Sequence, residues 1–376
     1  MYRKDAIVVG EWIRNSNKAL LVTGARQTGK TWLIRDEIEK SGYTKFELNF
    51  IDQPDMVSYL NAEMSAEEFL IKLKMIMPED CKVHETVVFF DEIQKCPEIV
   101  TKIKFLVDEG SFKYVMSGSL LGVELKGIAS APVGYLTVLR MYPMDFEEFM
   151  VANNVSTTTL DMLEDKFKTV SPIEEFIHQK LLAMFFVYLI VGGMPDAVKT
   201  YIETKDIREV DRVQRDITTL YKEDFSQYEL EDRKLKLKSI YDIIPAELDK
   251  QNKKFVFTML NKELKFERYE NSFLWLKDAG VALPVYNVDA PVIPLLASKS
   301  SNVFRLFSSD IGLLTSAYPA ETKIELINKN GEVNNGAHFE NAVAQQLTAN
   351  GFEPFFCKKK NIGEMDFAIE MNGKVV

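Results

Sequence analysis

At 376 residues, with 46% hydrophobic and 27% charged residues, the chain is long enough for two or three domains and has the composition of a globular, water-facing protein. Its 46 Lys and Arg stand against 56 Asp and Glu, a net charge of -10, which excludes a surface coated throughout in nucleic acid but not a local basic face. Three cysteines and three histidines, all scattered, give no disulfide framework and no zinc site.

The N-terminal MYRKDAIVVGEW lacks the apolar core of a signal peptide. The most apolar run, LLAMFFVYLIVGGMP before Asp196, is too short to span a bilayer and breaks on Gly and Pro, so it reads as a buried helix entering a turn. No membrane and a reduced cytoplasm are expected.

In chain order, ALLVTG (19–24) is an apolar strand ending in Gly, followed by a helix from TWLIRDEIEK; KFELNF (45–50) is a second strand. TVVFFDE (86–92) is a third, KYVMSGS (113–119) a fourth and LTVLRMYPM (136–144) a fifth, with a helix marked by the stripe Ile99, Val100, Ile103, Leu106 and Val107. The alternation predicts an α/β fold, an open parallel sheet with helices on both faces. After Phe149 the Ser/Thr-rich VSTTTL within 151–171 reads as a loop, and the pattern is helical from there to about 228. A helix (LKLKSIYDIIPAEL), KKFVF, a helix over about 261–278 and the strand GVALPVYNV follow in the order of a winged helix-turn-helix. The closing DFAIEMNGKVV reads as a hairpin.

GARQTGKT (24–31) matches G-x-x-x-x-G-K-[ST] between a strand and a helix, the context that gives the motif its meaning. Gly24 and Gly29 allow the tight path by which Ala25, Arg26, Gln27 and Thr28 present backbone N–H groups to phosphate oxygens. Lys30 is placed to neutralise the β- and γ-phosphates of ATP, and the Thr31 hydroxyl to bind Mg²⁺. Asp91 ends an apolar strand, where ligands of α/β sheets bind, and is the second Mg²⁺ group. Glu92 is the general base for the attacking water. Ser117 or Ser119 and Gln94 are placed to sense the γ-phosphate or water, while Arg26 and Arg140 are candidate arginine fingers.

With GARQTGKT, VVFFDEIQKCPE, VMSGSLL, MYPMDFEEFM, VGGMPDAV, QRDI, FRLFSSDIGLL, HFENAVAQQL and GEMDFAIE, the chain resembles bacterial and archaeal AAA-type ATPases that join a P-loop domain to a winged helix and a C-terminal restriction-endonuclease-like domain of unknown function. The resemblance implies a P-loop NTPase sheet and four segments: an ATPase domain at 1–150, a helical linker or lid at 151–232, a winged helix-turn-helix at 233–295 and a partial endonuclease-like domain at 296–376. ATP/ADP is the expected ligand, and a homo-oligomer or protein partner is left open. The resemblance also implies a turn at Gly193-Met194-Pro195 in which Pro195 approaches the nucleotide. Bottom-up, that turn is a rigid helix terminator. Many relatives carry Gly-Arg where this chain has Gly134-Tyr135, so an arginine role at the γ-phosphate is unfilled or moved.

Residues 233–277 hold eleven Lys and Arg against six Asp and Glu, a local charge of +5, which suits contact with a DNA backbone. The resemblance also implies a nuclease site whose first carboxylates are Glu340 and Asp366, with Glu364 nearby. Metal-assisted phosphodiester hydrolysis needs a further Lys from an E-x-K strand, and the sequence stops at GKVV before one. No nuclease activity is expected of this chain.

Overall fold

The computed structural model describes residues 1–60, 64–119, 134–227, 231–250, 255, 270–328, 335–359 and 363–376. They divide into two compact units, Tyr2–Met141 and Tyr142–Val376.

The first unit runs α1 (Asp5–Asn15), β1 (Ala19–Thr23), α2 (Lys30–Ser41), β2 (Thr44–Asn49), α3 (Pro54–Leu60), α4 (Ala66–Ile76), β3 (Thr86–Asp91), α5 (Glu98–Glu109), β4 (Lys113–Gly118) and β5 (Leu136–Arg140). Its sheet has the order β2-β3-β4-β1-β5, and every pairing in it is parallel. Buried on both faces, the inner strands are apolar along their middles; β3 is buried at all six positions, with Val87, Val88, Phe89 and Phe90 between Thr86 and Asp91. Successive side chains then serve opposite cores. Leu21, Phe90 and Met116 pack with Ile99, Val100, Ile103 and Leu106 of α5, while Leu20, Val22, Phe89 and Val115 pack with Leu33, Ile34 and Ile38 of α2. Each such buried side chain contributes roughly 1.5–3 kcal/mol. The register sets Asn49 beside Asp91 and Thr23 beside Gly118, so Thr23, Asn49 and Asp91, with Ser117 one residue before the end of β4, share one edge. This is the P-loop NTPase sheet.

The second unit begins with α6 (Phe146–Ala152), α7 (Thr157–Lys168), α8 (Glu175–Val191), α9 (Pro195–Thr204), α10 (Ile207–Gln227) and α11 (Glu231–Leu248). It continues with α12 (Glu270–Asp278), β6 (Ala282–Val288), β7 (Lys299–Ser308), α13 (Ile311–Ser316), α14 (Ala320–Asn328) and α15 (Gly336–Ala349). The last elements are β8 (Phe355–Lys359), β9 (Gly363–Ala368), β10 (Glu370–Met371) and β11 (Lys374–Val375). A mixed sheet has the order β7-β6-β8-β9. The expected terminal hairpin is present, as β10 and β11 pair antiparallel.

One expectation is overturned. The stretch read as a loop holds α7, whose N-cap Ser156 accepts a hydrogen bond from the Thr159 N–H. A Ser before three Thr looks like a turn because these side chains compete for backbone groups, yet at a helix start the same competition caps it. The helix buries none of its residues, and its stripe of Leu160, Leu163 and Phe167 begins only after the three Thr that suggest a turn. The winged-helix reading falls largely outside the described residues: of KKFVF only Phe255 is described, and of the helix at 261–278 only the part from Glu270.

Candidate nucleotide site

The loop between β1 and α2 has the backbone that its glycines permit. Gly24 has φ 144° and Gly29 φ 90°. A Cβ on Gly24 would lie 2.1 Å from the Met141 carbonyl oxygen, so no larger residue fits where β1 meets the segment after β5. Gln27 also has a positive φ of 62°, the left-handed geometry that turns successive N–H groups inward to form an anion-binding concavity. Thr28 is buried and donates to the Ala25 carbonyl at 2.9 Å. The buried Arg3 donates to the Thr28 carbonyl at 2.9 Å, bracing the loop from the N-terminal arm.

Lys30 opens α2 and is 7% exposed. Its Nζ donates to the carbonyls of Gly24 at 3.0 Å and Ala25 at 2.7 Å. Burial pushes its ammonium down to about 8, against the opposing pull of Glu92 and Asp91. Thr31 donates to both Asp91 oxygens, at 3.2 and 3.1 Å. Asp91 also accepts from Asn49 Nδ2 at 3.2 Å, from the Glu92 N–H at 3.1 Å and from the Ser117 hydroxyl. Desolvation raises the Asp91 carboxyl above the usual range, Ser117 works against that, and the Glu92 charge reinforces it.

Glu92 has φ 56°, an unfavourable backbone for a residue with a Cβ and one that concentrates at functional sites, at about 1–3 kcal/mol each. Its carboxylate accepts from Gln94 Nε2, which also donates to Ser119 at 3.3 Å. Arg26 Nε donates to the same Ser119 hydroxyl at 3.4 Å. Arg26, Gln94 and Ser119 therefore form one polar chain that ends on Glu92. Arg140 ends β5 opposite Thr23, and Pro195 stands in the second unit as the first residue of α9.

Oxygen donors of this kind suit Mg²⁺, which takes one or two carboxylates and leaves its other positions to phosphate and water. Thr31 and Asp91 fit that requirement. Among the described residues no group of three or more His, Cys, Asp or Glu could hold a metal. Sequence reasoning missed Asn49 and Arg3. Asn49 carried a faint signal, since it ends a strand beside the Asp91 strand; Arg3 carried none.

Residues 16–150 match a family model described as an AAA domain. That match supports an AAA-type ATPase module that binds nucleotide. Residues 183–324 match a domain of unknown function, DUF8612, which runs from α8 into α14. No curated protein matches the chain. Among solved structures, the Walker-type ATPase PABY2304 of Pyrococcus abyssi is 13% identical, with 84% of this chain and 95% of that one covered and a TM-score of 0.46. AMPPCP-bound DnaA from Aquifex aeolicus is 12% identical, covering 74% and 89%, at a TM-score of 0.36. Cdc6p from Pyrobaculum aerophilum is 13% identical, covering 86% and 92%, at a TM-score of 0.29. These likenesses are weak, and the functional reading rests on the geometry of the loop and the two carboxylates.

In the second unit the structure brings Glu340, Glu364 and Asp366 together, but around a guanidinium. Arg305 Nη1 lies 3.2 Å from Glu340 and 3.1 Å from Asp366, and its Nη2 meets Glu364. Arg305 is 2% exposed and lies over the Phe356 ring at 4.5 Å. Lys358 adds an ion pair to Glu364 at 2.6 Å.

Proposed function

We propose that the first unit hydrolyses ATP with Mg²⁺ held by Thr31 and Asp91. The observation that carries this is the direct bond from Thr31 to Asp91 at 3.1 Å beside Glu92. The backbone of Gly24, Ala25, Arg26, Gln27, Thr28 and Gly29 cradles the phosphates, and the α2 terminus adds its dipole. Lys30 leaves its two carbonyl acceptors for the β- and γ-phosphate oxygens. Held by Thr31 and Asp91, Mg²⁺ would supply neutralisation of the charge that develops on the transferred phosphoryl group. Asn49 and Ser117 hold the Asp91 carboxylate in place. Glu92 takes the proton of the attacking water, and Gln94 orients Glu92. Ser119 links Arg26 to that base, a route by which the γ-phosphate is sensed.

The test is Mg²⁺-dependent ATP hydrolysis by the wild type and by Glu92→Gln. The variant should keep ATP binding and lose roughly 100-fold or more in rate, the usual worth of a general base. Equal and negligible rates in both would leave a nucleotide-gated scaffold instead.

Under the same proposal, the Gly193-Met194-Pro195 turn couples nucleotide state to the second unit, and residues 233–277 contact DNA. Lys234, Lys236 and Lys238 lie on α11; Lys253, Lys254, Lys262, Lys265 and Arg268 are outside the described residues. DNA binding that weakens with salt and is lost on charge reversal of Lys262 and Lys265 supports this; salt-independent or unaltered binding sinks it.

A further inference from the structure

The helices α7 and α8, joined by residues 169–174, leave their apolar side chains uncovered. From Leu181 to Val191 the sequence of α8 is apolar on every side, the pattern of a helix enclosed by protein. Only Tyr188, Leu189, Ile190 and Val191 of its 17 residues are buried, and α7 buries none. Phe167 in the last turn of α7 is 85% exposed, Val170 in the connection 92% and Phe176 in the first turn of α8 68%. A helix of 12 residues with no buried face is marginal in water, because packing of an apolar stripe supplies most helical stability.

The connection holds one of these side chains out at a backbone cost. The Ser171 N–H donates to the Lys166 carbonyl at 2.9 Å, a helix-closing turn whose left-handed position usually belongs to glycine. Here that position is Val170, with φ 51°, which is unfavourable for a β-branched residue. Glycine would relax the turn and expose no apolar side chain, so the fold of one chain gives the valine no purpose.

We propose that this face is covered by the same face of a second copy of the chain, the two pairs of helices closing into a four-helix bundle. At their exposures Phe167 and Phe176 leave roughly 300 Å² open, taking about 200 Å² for each whole side chain. Val170 and half-buried side chains such as Leu160, Leu163, Ile173 and Ile177 bring the face towards the roughly 800 Å² that each partner of a stable complex buries. Charge favours a copy over other occupants. Between 157 and 180 five Asp and Glu are interspersed with three Lys, and Lys168 pairs with Glu164 at 2.5 Å. Such a border offers both signs to its own counterpart and no single-sign field to a strongly charged partner. Its acidic excess is the reverse of the Lys- and Arg-rich face that lies on anionic lipid. An apolar face of this kind resembles a domain core cut in half, the mark of a homodimer.

Sedimentation velocity of the full chain without nucleotide tests the proposal, and its outcome does not depend on whether the P-loop binds or hydrolyses ATP. The wild type should dimerise with a dissociation constant of about 10 µM or lower, as a standard-size interface permits. Phe167→Glu with Phe176→Glu should raise that constant about 100-fold or more, the effect of losing two interface anchors, while circular dichroism stays that of the folded chain. Val170→Gly relaxes the turn and should still weaken the dimer several-fold, which a residue serving only the fold of one chain would not do. Amide exchange in α7 should slow as protein concentration rises through the dissociation constant, and should not slow in the double variant. A dimer whose mass and α7 exchange the substitutions leave unaltered overturns the proposal. So does a wild type that stays monomeric at about 100 µM, which would leave the face to a different protein.

Discussion

The backbone N–H of Gly193 donates to Oδ2 of Asp310 at 2.6 Å, although the two residues are 117 apart in sequence. The other oxygen of Asp310 caps α13 through the Leu313 N–H at 3.0 Å, so one carboxylate ties the Gly-Gly-Met-Pro turn to the segment after β7. The approach is close enough to demand glycine. A Cβ on Gly193 would lie 1.9 Å from the Met144 carbonyl oxygen, and one on Gly312 would lie 2.4 Å from that of Val191. Gly193→Ala should therefore lower unfolding free energy by about 3 kcal/mol or more, the upper range of overpacking. Gly351, with φ +83° and nothing within 4 Å of its added Cβ, is the control; Gly351→Ala should cost only the left-handed backbone, about 1 kcal/mol. Urea melts of the two variants measure the contrast.

Asp310 is fully buried, and desolvation raises its carboxyl from 3.8 to about 6 against the hydrogen bonds from Gly193, Leu313, Gln345 and Gly312. A carboxyl raised on folding favours the protonated native state. Its contribution to stability is complete below about pH 4 and is lost as pH rises through about 6, a swing of roughly 3 kcal/mol. Asp310→Asn cannot titrate, so the difference in unfolding free energy between wild type and variant should change by about that amount between pH 4 and 7. A pH-independent difference would show that Asp310 does not titrate in this window.

The P-loop half of the molecule was legible because its signals are local. Glycine spacing, a following helix and an apolar strand ending in Asp-Glu all lie within short windows. The partners of Asp91 were not, since Asn49 and Ser117 reach it through the parallel register of β2, β3 and β4. Asp310 was invisible for the same reason on a longer scale: its importance comes from Gly193 and Gln345, elements apart in the chain. Glu340 and Asp366, with Glu364 nearby, are legible as a carboxylate cluster, but the buried cation they surround, Arg305, is not, because a strand pattern cannot assign it to a site.

Lys30 links nucleotide affinity to pH. Its ammonium is lowered to about 8 chiefly by burial, and phosphate favours the charged form. ATP affinity should be level below about pH 8 and fall above it, by up to about tenfold per pH unit. Lys30→Arg stays charged and should lose that step, even if its affinity is lower throughout. Trp32 is 46% exposed and sits two residues along α2, so its fluorescence can report the titration.

Arg305 neutralises three carboxylates from its buried position. Arg305→Met removes the guanidinium that lies over Phe356 and takes its charge from Glu340 and Asp366, while Glu364 keeps Lys358. The loss should be about 3 kcal/mol, tempered because Asp366 is 59% exposed. Glu340→Gln made in that background should recover about 1 kcal/mol or more, whereas in the wild type it should destabilise; the sign reversal is the signature of coupling. Additive effects in a urea-melt double-mutant cycle would mean that the cluster is not acting as a unit.

His338 supplies the opposite pH dependence to Asp310. The ring is 1% exposed, neither nitrogen has a hydrogen-bond partner among the described residues, and its centroid lies 4.7 Å from that of Tyr318. Desolvation lowers its pKa from 6.5 to about 4, so the native state holds it neutral while the unfolded chain takes up a proton. Its contribution is present above about pH 6.5 and is lost as pH falls through about 4, roughly 3 kcal/mol in all. His338→Leu removes both the proton site and two buried polar atoms with no partner. The variant should match the wild type within about 1 kcal/mol at pH 7.5 and gain on it steadily as pH falls from 6.5 to 4. Unfolding curves across that range decide the matter, because a histidine charged in the native state would make the variant lose ground on acidification.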